Sequence, residues 1–164
     1  MKTFEDVIRI LDLVPLPEEG GFYRETFRST RMVNSDELGV KSECTAIYYL
    51  ITEFSFSALH AVDQDEIFHF YAGSPVEMLQ IVNGESKKII LSGNIFEGHH
   101  PQVIVPKNIW QGTKLLNPAK DDWALLGCTV SPGFELQNFH IKPRSELQKM
   151  FPNIKDDIAE FSND

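Results

Sequence analysis

No apolar run in this 164-residue chain comes near the roughly 20 residues that a membrane-spanning helix needs. Cysteine is scarce as well: Cys44 and Cys128 stand far apart, each inside a strand-like run and neither with a nucleophile signature around it. That pattern reads as buried free thiols in a reducing compartment, not as a disulfide framework. Basic residues are outnumbered, 15 Lys and Arg against 24 Asp and Glu, for a formal charge of −9. A nucleic-acid backbone or an anionic membrane is a polyanion, so neither is expected as a partner. The opening stretch "MKTFEDVIRILDLV" has acids within its apolar pattern and no small-residue cleavage site. It therefore reads as folded chain rather than a leader, and a cytoplasmic location is expected. There is no repeat, low-complexity segment or internal linker.

What is present is a globular composition, 42% apolar and rich in phenylalanine, enough for one domain over residues 1–164 with a real core. Thr3 can cap a helix that places Phe4, Val7, Ile8 and Leu11 on one face. "VPLPEEGG" ends it, because proline lacks an amide donor and paired glycines supply a turn. The period then changes to that of strands. In "GFYRETFRS", Phe22, Arg24, Thr26 and Arg28 alternate with Tyr23, Glu25 and Phe27, whereas "STRMVNSDELGVKS" reads as a polar loop. "ECTAIYYLIT" is β-branched and aromatic, as a buried strand should be. Short strands are expected at 54–60, 66–72, 75–82, 87–91, 102–105, 109–116 and 123–130, separated by turn residues such as Asn83-Gly84. "SELQKMF" and "IKDDIAEF" are helical. With no crossover helices a parallel sheet is excluded. The expectation is an all-β fold, a jelly roll or double-stranded β-helix with core about 22–140, one N-terminal helix and one or two C-terminal ones.

Chemistry concentrates in "LHAVDQDEIFHFYAG". His60 ends one strand, "DQD" makes a turn, and Glu66 opens the next, so a hairpin can converge the two side chains on one face. Period two groups Glu66 with Phe68 and Phe70, and His69 with Ile67 and Tyr71. An imidazole beside a carboxylate suits metal ligation or proton transfer.

His60, Glu66 and the closing Gly73 resemble the first motif of the cupin superfamily. "VPKNIWQ" resembles the second, with Pro106 in the proline place, Asn108 in the glycine place and Gln111 where a third histidine belongs. "EEGGFYRETFRS", "DEIFHFYAG", "PQVIVPKNIWQ" and "LLGCTVSPGFEL" together resemble a small single-domain cupin subfamily of uncharacterised function, from about residue 10 to 140. More distantly the chain is similar to germin-like proteins and to dTDP-dehydrorhamnose 3,5-epimerases. The resemblance implies the jelly roll, a ligand pocket in the barrel, and a homodimer in which the N-terminal strand segment takes part.

Departures from the motifs bear on the cofactor. The second histidine's place falls on Val62 or Ala58, neither of them a ligand, and Gln111 replaces the third. No cofactor is therefore expected; the alternative is a divalent metal on His60, Glu66 and Gln111, one strong ligand short of the usual three. Three functions follow. One is binding of a small polar, carbohydrate-derived molecule. Another is a metal-free sugar-nucleotide isomerase or epimerase with His60 as base, Glu66 tuning it, and Tyr49 or Tyr71 as the acid. The third is a metal-dependent enzyme. Arg24 suits an anionic group on the ligand; Phe68, Phe70 and Trp110 suit a ring, although aromatic residues on strands are commonly core. His99 and His100 read as solvated loop, and Glu77 as a residue that either faces inward or is solvated.

Overall fold

The structure, a computed structural model, describes residues 3–163. Met1, Lys2 and Asp164, the ends of the expected 1–164 domain, lie outside the described residues. Helix α1 (Phe4–Leu11) starts where Asp6 accepts a bond from the Thr3 amide at 3.3 Å. Thirteen strands follow: β1 Val14–Pro15, β2 Phe22–Arg28, β3 Met32–Ser35, β4 Gly39–Ser42, β5 Thr45–Thr52, β6 Ser57–Val62, β7 Asp65–Gly73, β8 Val76–Val82, β9 Glu85–Leu91, β10 Gln102–Val105, β11 Trp110–Leu115, β12 Trp123–Ser131 and β13 Phe139–Ile141. Helices α2 (Arg144–Met150) and α3 (Lys155–Glu160) end the chain. No helix among the described residues is long and apolar enough to cross a membrane.

Two antiparallel sheets face each other, one ordered β1-β2-β5-β12-β7-β10 and the other β13-β6-β11-β8-β9. This is the jelly roll expected from the strand spacing. Alternation along each strand builds the interior: Tyr49 and Ile51, Phe68, Met78, Val103, Leu126 and Cys128 meet in one buried cluster. The odd residues of β8 go the other way. Leu79 and Ile81 join Leu59 in a second cluster with Leu147, Ile154, Ile158 and Phe161 from the C-terminal segment. Strand β6 is consequently buried at all six positions.

Three expectations need correction. "DQD" is not a hairpin turn, because β6 pairs with β11 and β13 while β7 pairs with β10 and β12. It is a corner between sheets, and Gln64 within it is buried, turned toward Gly133 and Asn138. The segment read as a polar loop contains the β3–β4 hairpin, a separate two-stranded sheet that needs no buried face to form its ladder. A bulge between Glu25 and Phe27 breaks the alternation in β2. Arg24 pairs opposite Tyr48 and Arg28 opposite Thr45, so the two arginines fall on opposite faces.

Candidate functional site

Between the sheets lies a cavity of about 380 Å³, within the size range of small-molecule sites. Its wall is mostly apolar and aromatic, with Tyr23, Ile47, Tyr49, Val62, Phe68, Val130, Phe134 and Phe139 among its members. Glu18, Glu25 and Leu136 line it from exposed positions, whereas Glu19, His60, Glu66 and Cys128 are buried. Among the described residues no lysine or arginine lines it.

His60 and Glu66 do meet, but because opposed sheets point both inward. A helping hand comes from β11. Gln111 Nε2 donates to His60 Nε2 at 2.8 Å and, more weakly, to Glu66 Oε2 at 3.4 Å. His60 Nδ1 lies 2.8 Å from the carbonyl of Ala58, which can only accept, so the ring proton sits on Nδ1. Nε2 is then the lone-pair nitrogen, and it takes the Gln111 amide. Gln111 Oε1 is buried without a partner.

Glu19 completes the polar set. Gly20 holds φ +98°, and a side chain there would meet the Phe56 carbonyl at 2.3 Å, so only glycine lets the loop enter this tightly. The Ala58 amide donates to the Glu19 carbonyl at 2.8 Å, and Ser57 Oγ donates to Glu19 Oε1 at 2.8 Å. Glu19 Oε2 ends 3.9 Å from His60 Nε2. Tyr49 donates to the Gly20 carbonyl at 2.9 Å; burial, then the Glu19 charge, pushes its phenol well up and keeps it protonated.

Burial also raises the Glu66 carboxyl, with the Glu19 charge acting the same way; His60, Cys128 and Gln111 oppose it. The folded protein thus holds this proton to higher pH than the unfolded chain does, and ionised Glu66 at neutral pH weakens folding. Glu66→Gln keeps an acceptor for Gln111 and removes the charge. It is expected to stabilise by ~1 kcal/mol at pH 7, a gain of about 2–4 °C in Tm for a domain of this size. Thermal melts from pH 7 downward check it: the advantage must vanish below the ordinary value of 4.5, where the native carboxyl is protonated in both states.

Other expected site residues are dispersed. Phe68 lines the cavity, but Phe70 packs against the barrel core and Trp110 against the C-terminal cluster. Arg24 is exposed and donates to the Leu11 carbonyl at 3.2 Å, away from the cavity. His69 faces the outside, held by Thr129 and Gln102 and stacked on Tyr71. Glu77 pairs with Lys88 at 3.8 Å, and His99 with Ser92 at 2.8 Å. Glu19, Tyr23, Phe134 and Phe139 were not singled out as site residues by the sequence; two adjacent acids inside the Pro- and Gly-rich "VPLPEEGG" were the available signal for Glu19.

The metal implied by the motif resemblance does not suit these donors. The His60 lone pair is occupied by an amide N–H, and the third ligand's place presents that same donor nitrogen. Among the described residues no three His, Cys, Asp or Glu side chains gather as a metal-binding group.

Residues 5–142 match the family model described as Cupin superfamily (DUF985). A hypothetical protein from Leishmania major superposes with a TM-score of 0.92 at 28% identity, covering 99% of both chains. A protein from Shewanella oneidensis gives 0.89 at 30% identity, again over 99% of each. A Bacillus subtilis oxalate decarboxylase mutant gives 0.55 at 12% identity, over 92% of this chain and 38% of that one, a likeness of fold alone. No curated protein matches.

Proposed function

Since the chain belongs to the cupin superfamily, in its DUF985 family, we propose that it binds a small molecule in the barrel cavity beside His60, Glu66 and Glu19. One observation carries this: a cavity of about 380 Å³ with aromatic walls, on which a buried imidazole and two buried carboxylates converge. Apolar walls with a few placed polar groups are the usual build of a ligand site. Screening a library of small metabolites by thermal shift tests it, with the Ile47→Trp variant as control, because Ile47 lines the cavity and indole would fill it. A ligand at 100 times its Kd stabilises by about 2.7 kcal/mol, or about 5–10 °C. True cavity ligands must shift the native protein and not the plugged variant; hits that shift both equally, and no others, would count against the proposal.

The isomerase alternative draws on one feature, the His60 Nε2 lone pair fixed by the Nδ1 bond to Ala58, which a substrate proton would have to take over from the Gln111 amide. It is the weaker reading for sugar nucleotides, whose diphosphate would enter beside Glu19 and Glu66 without a lining lysine or arginine among the described residues. A second copy of the chain remains part of the proposal. Phe27, Tyr71 and Ile104 are exposed on strands of the six-stranded sheet and give it an apolar surface to cover.

A further inference from the structure

Resting on the binding proposal above, we infer that the cavity is built for an organic cation: an amine whose apolar body packs on the rings while its nitrogen sits between Glu19 and Glu66. The lining supplies carboxylates and, among the described residues, no lysine or arginine. Arg28, which bonds to two lining residues, is consumed by Glu25, with bonds of 3.0 and 2.7 Å, and by the Phe134 carbonyl at 3.0 Å. Lys41 is buried against Glu135 instead.

The two buried carboxylates are also under-used as acceptors. Glu19 Oε1 takes the Ser57 hydroxyl, Oε2 ends 3.9 Å from His60, outside hydrogen-bond range, and the Tyr49 phenol is the other group in reach of the carboxylate. Glu66 receives long contacts alone, 3.4 Å from Gln111 and 3.5 Å from the Cys128 thiol. An ionised carboxylate in an apolar wall normally accepts several short bonds or a counter-ion. Beside the pair, Gln111 Oε1 is buried with no donor at all. An ammonium brings up to three N–H donors and a positive charge, which suits the two buried carboxylates that line the cavity. Tyr23, Tyr49 and Phe68 line the same cavity, and aromatic rings attract a cation. A bare metal ion answers the charge but not the surrounding apolar volume, and a phosphate or carboxylate would add a third anion.

Three probes of one shape separate the cases: phenethylamine, 2-phenylethanol and phenylacetate, each titrated into the full chain by calorimetry at pH 7. Phenethylamine should bind at least tenfold more tightly than the alcohol, and phenylacetate should not bind; a charge-assisted hydrogen bond is worth about that factor or more. Glu66→Gln should weaken the amine about tenfold and leave the alcohol unchanged, a split that loss of cavity shape would not produce. Glu19→Gln should repeat it if that variant folds; Glu66→Gln suffices if it does not. If the alcohol or phenylacetate binds as tightly as the amine, the charge assignment falls while the cavity proposal stands. If none of the three binds at millimolar concentration, the cation assignment falls, and the library screen decides the cavity proposal on its own.

Discussion

Gly73→Ala is expected to lower Tm by about 10 °C, a loss of about 3–4 kcal/mol at 2–4 °C each. Gly73 ends β7 at φ +99°, a conformation L side chains rarely adopt. That alone costs about 1–2 kcal/mol. The larger part is contact: a Cβ would lie 2.2 Å from the Trp123 carbonyl oxygen and 3.0 Å from the Ala124 Cα. Both are backbone of β12, which is fixed on one side by β5 and on the other by β7, with Ala124 opposite Gly73. The same Trp123 carbonyl accepts the Ser74 amide at 2.8 Å, so it cannot withdraw without losing that bond. Gly127→Ala is the control. Its Cβ would meet the Tyr71 hydroxyl at 2.2 Å, an equally short approach, but to the end of a half-exposed side chain that can swing away. It should cost about 1 kcal/mol. Chemical or thermal melts decide the matter; equal losses in the two variants would show that backbone crowding at the end of β7 is not what demands glycine.

The legibility of the sequence follows the range of the interaction that decides each feature. Local alternation put Glu66 and Phe68 on one face of β7 and His69 on the other, and the barrel keeps that assignment because a one-residue slip would bury the wrong set. The helix at Phe4–Leu11 was equally readable, although it stops on a left-handed Asp12, ahead of the proline-rich segment whose Val14-Pro15 form β1. Long-range pairing was not. A three-residue polar link such as Asp63-Gln64-Asp65 serves a hairpin or a corner between sheets, and only the partners of β6 and β7 choose between them. Likewise, nothing in residue type separates Trp110, which packs against the C-terminal cluster, from Phe70, which packs against the barrel core. The bulge that turns Arg28 away from Arg24's face leaves no mark in residue type. Glu19 shows the sharpest case. Its chemistry was plain in the sequence, yet its place beside His60 depends on the path of the Gly20 loop across Ser57 and Ala58, residues nearly forty positions later.

The largest loss is expected in Phe161→Ala, about 3–5 kcal/mol, the usual range for a buried phenylalanine, and it should reach the cavity. Phe161 is fully buried, 0% exposed, among Leu59, Leu79, Ile81, Leu147, Ile154 and Ile158. Lys114 lies over its ring, 4.5 Å from the centroid. Its carbonyl accepts the Leu59 amide at 2.7 Å, tying the C-terminal segment to β6 at the residue before His60. Leu59 and His60 point to opposite faces of that strand, so the helices are the outer support of the wall that presents the imidazole. Emptying the ring's volume opens a gap in the cluster that holds Leu59, and the backbone that fixes the Ala58 carbonyl on His60 Nδ1 becomes free to shift. Hydrogen exchange at residues 58–61 should therefore speed up together with that of α3, and cavity ligands should bind more weakly than to the native chain. Phe54→Ala removes the same ring from a position 75% exposed and should change stability by no more than about 0.5 kcal/mol. Faster exchange confined to α3, with 58–61 unchanged, would mean the barrel holds His60 without its helical backing.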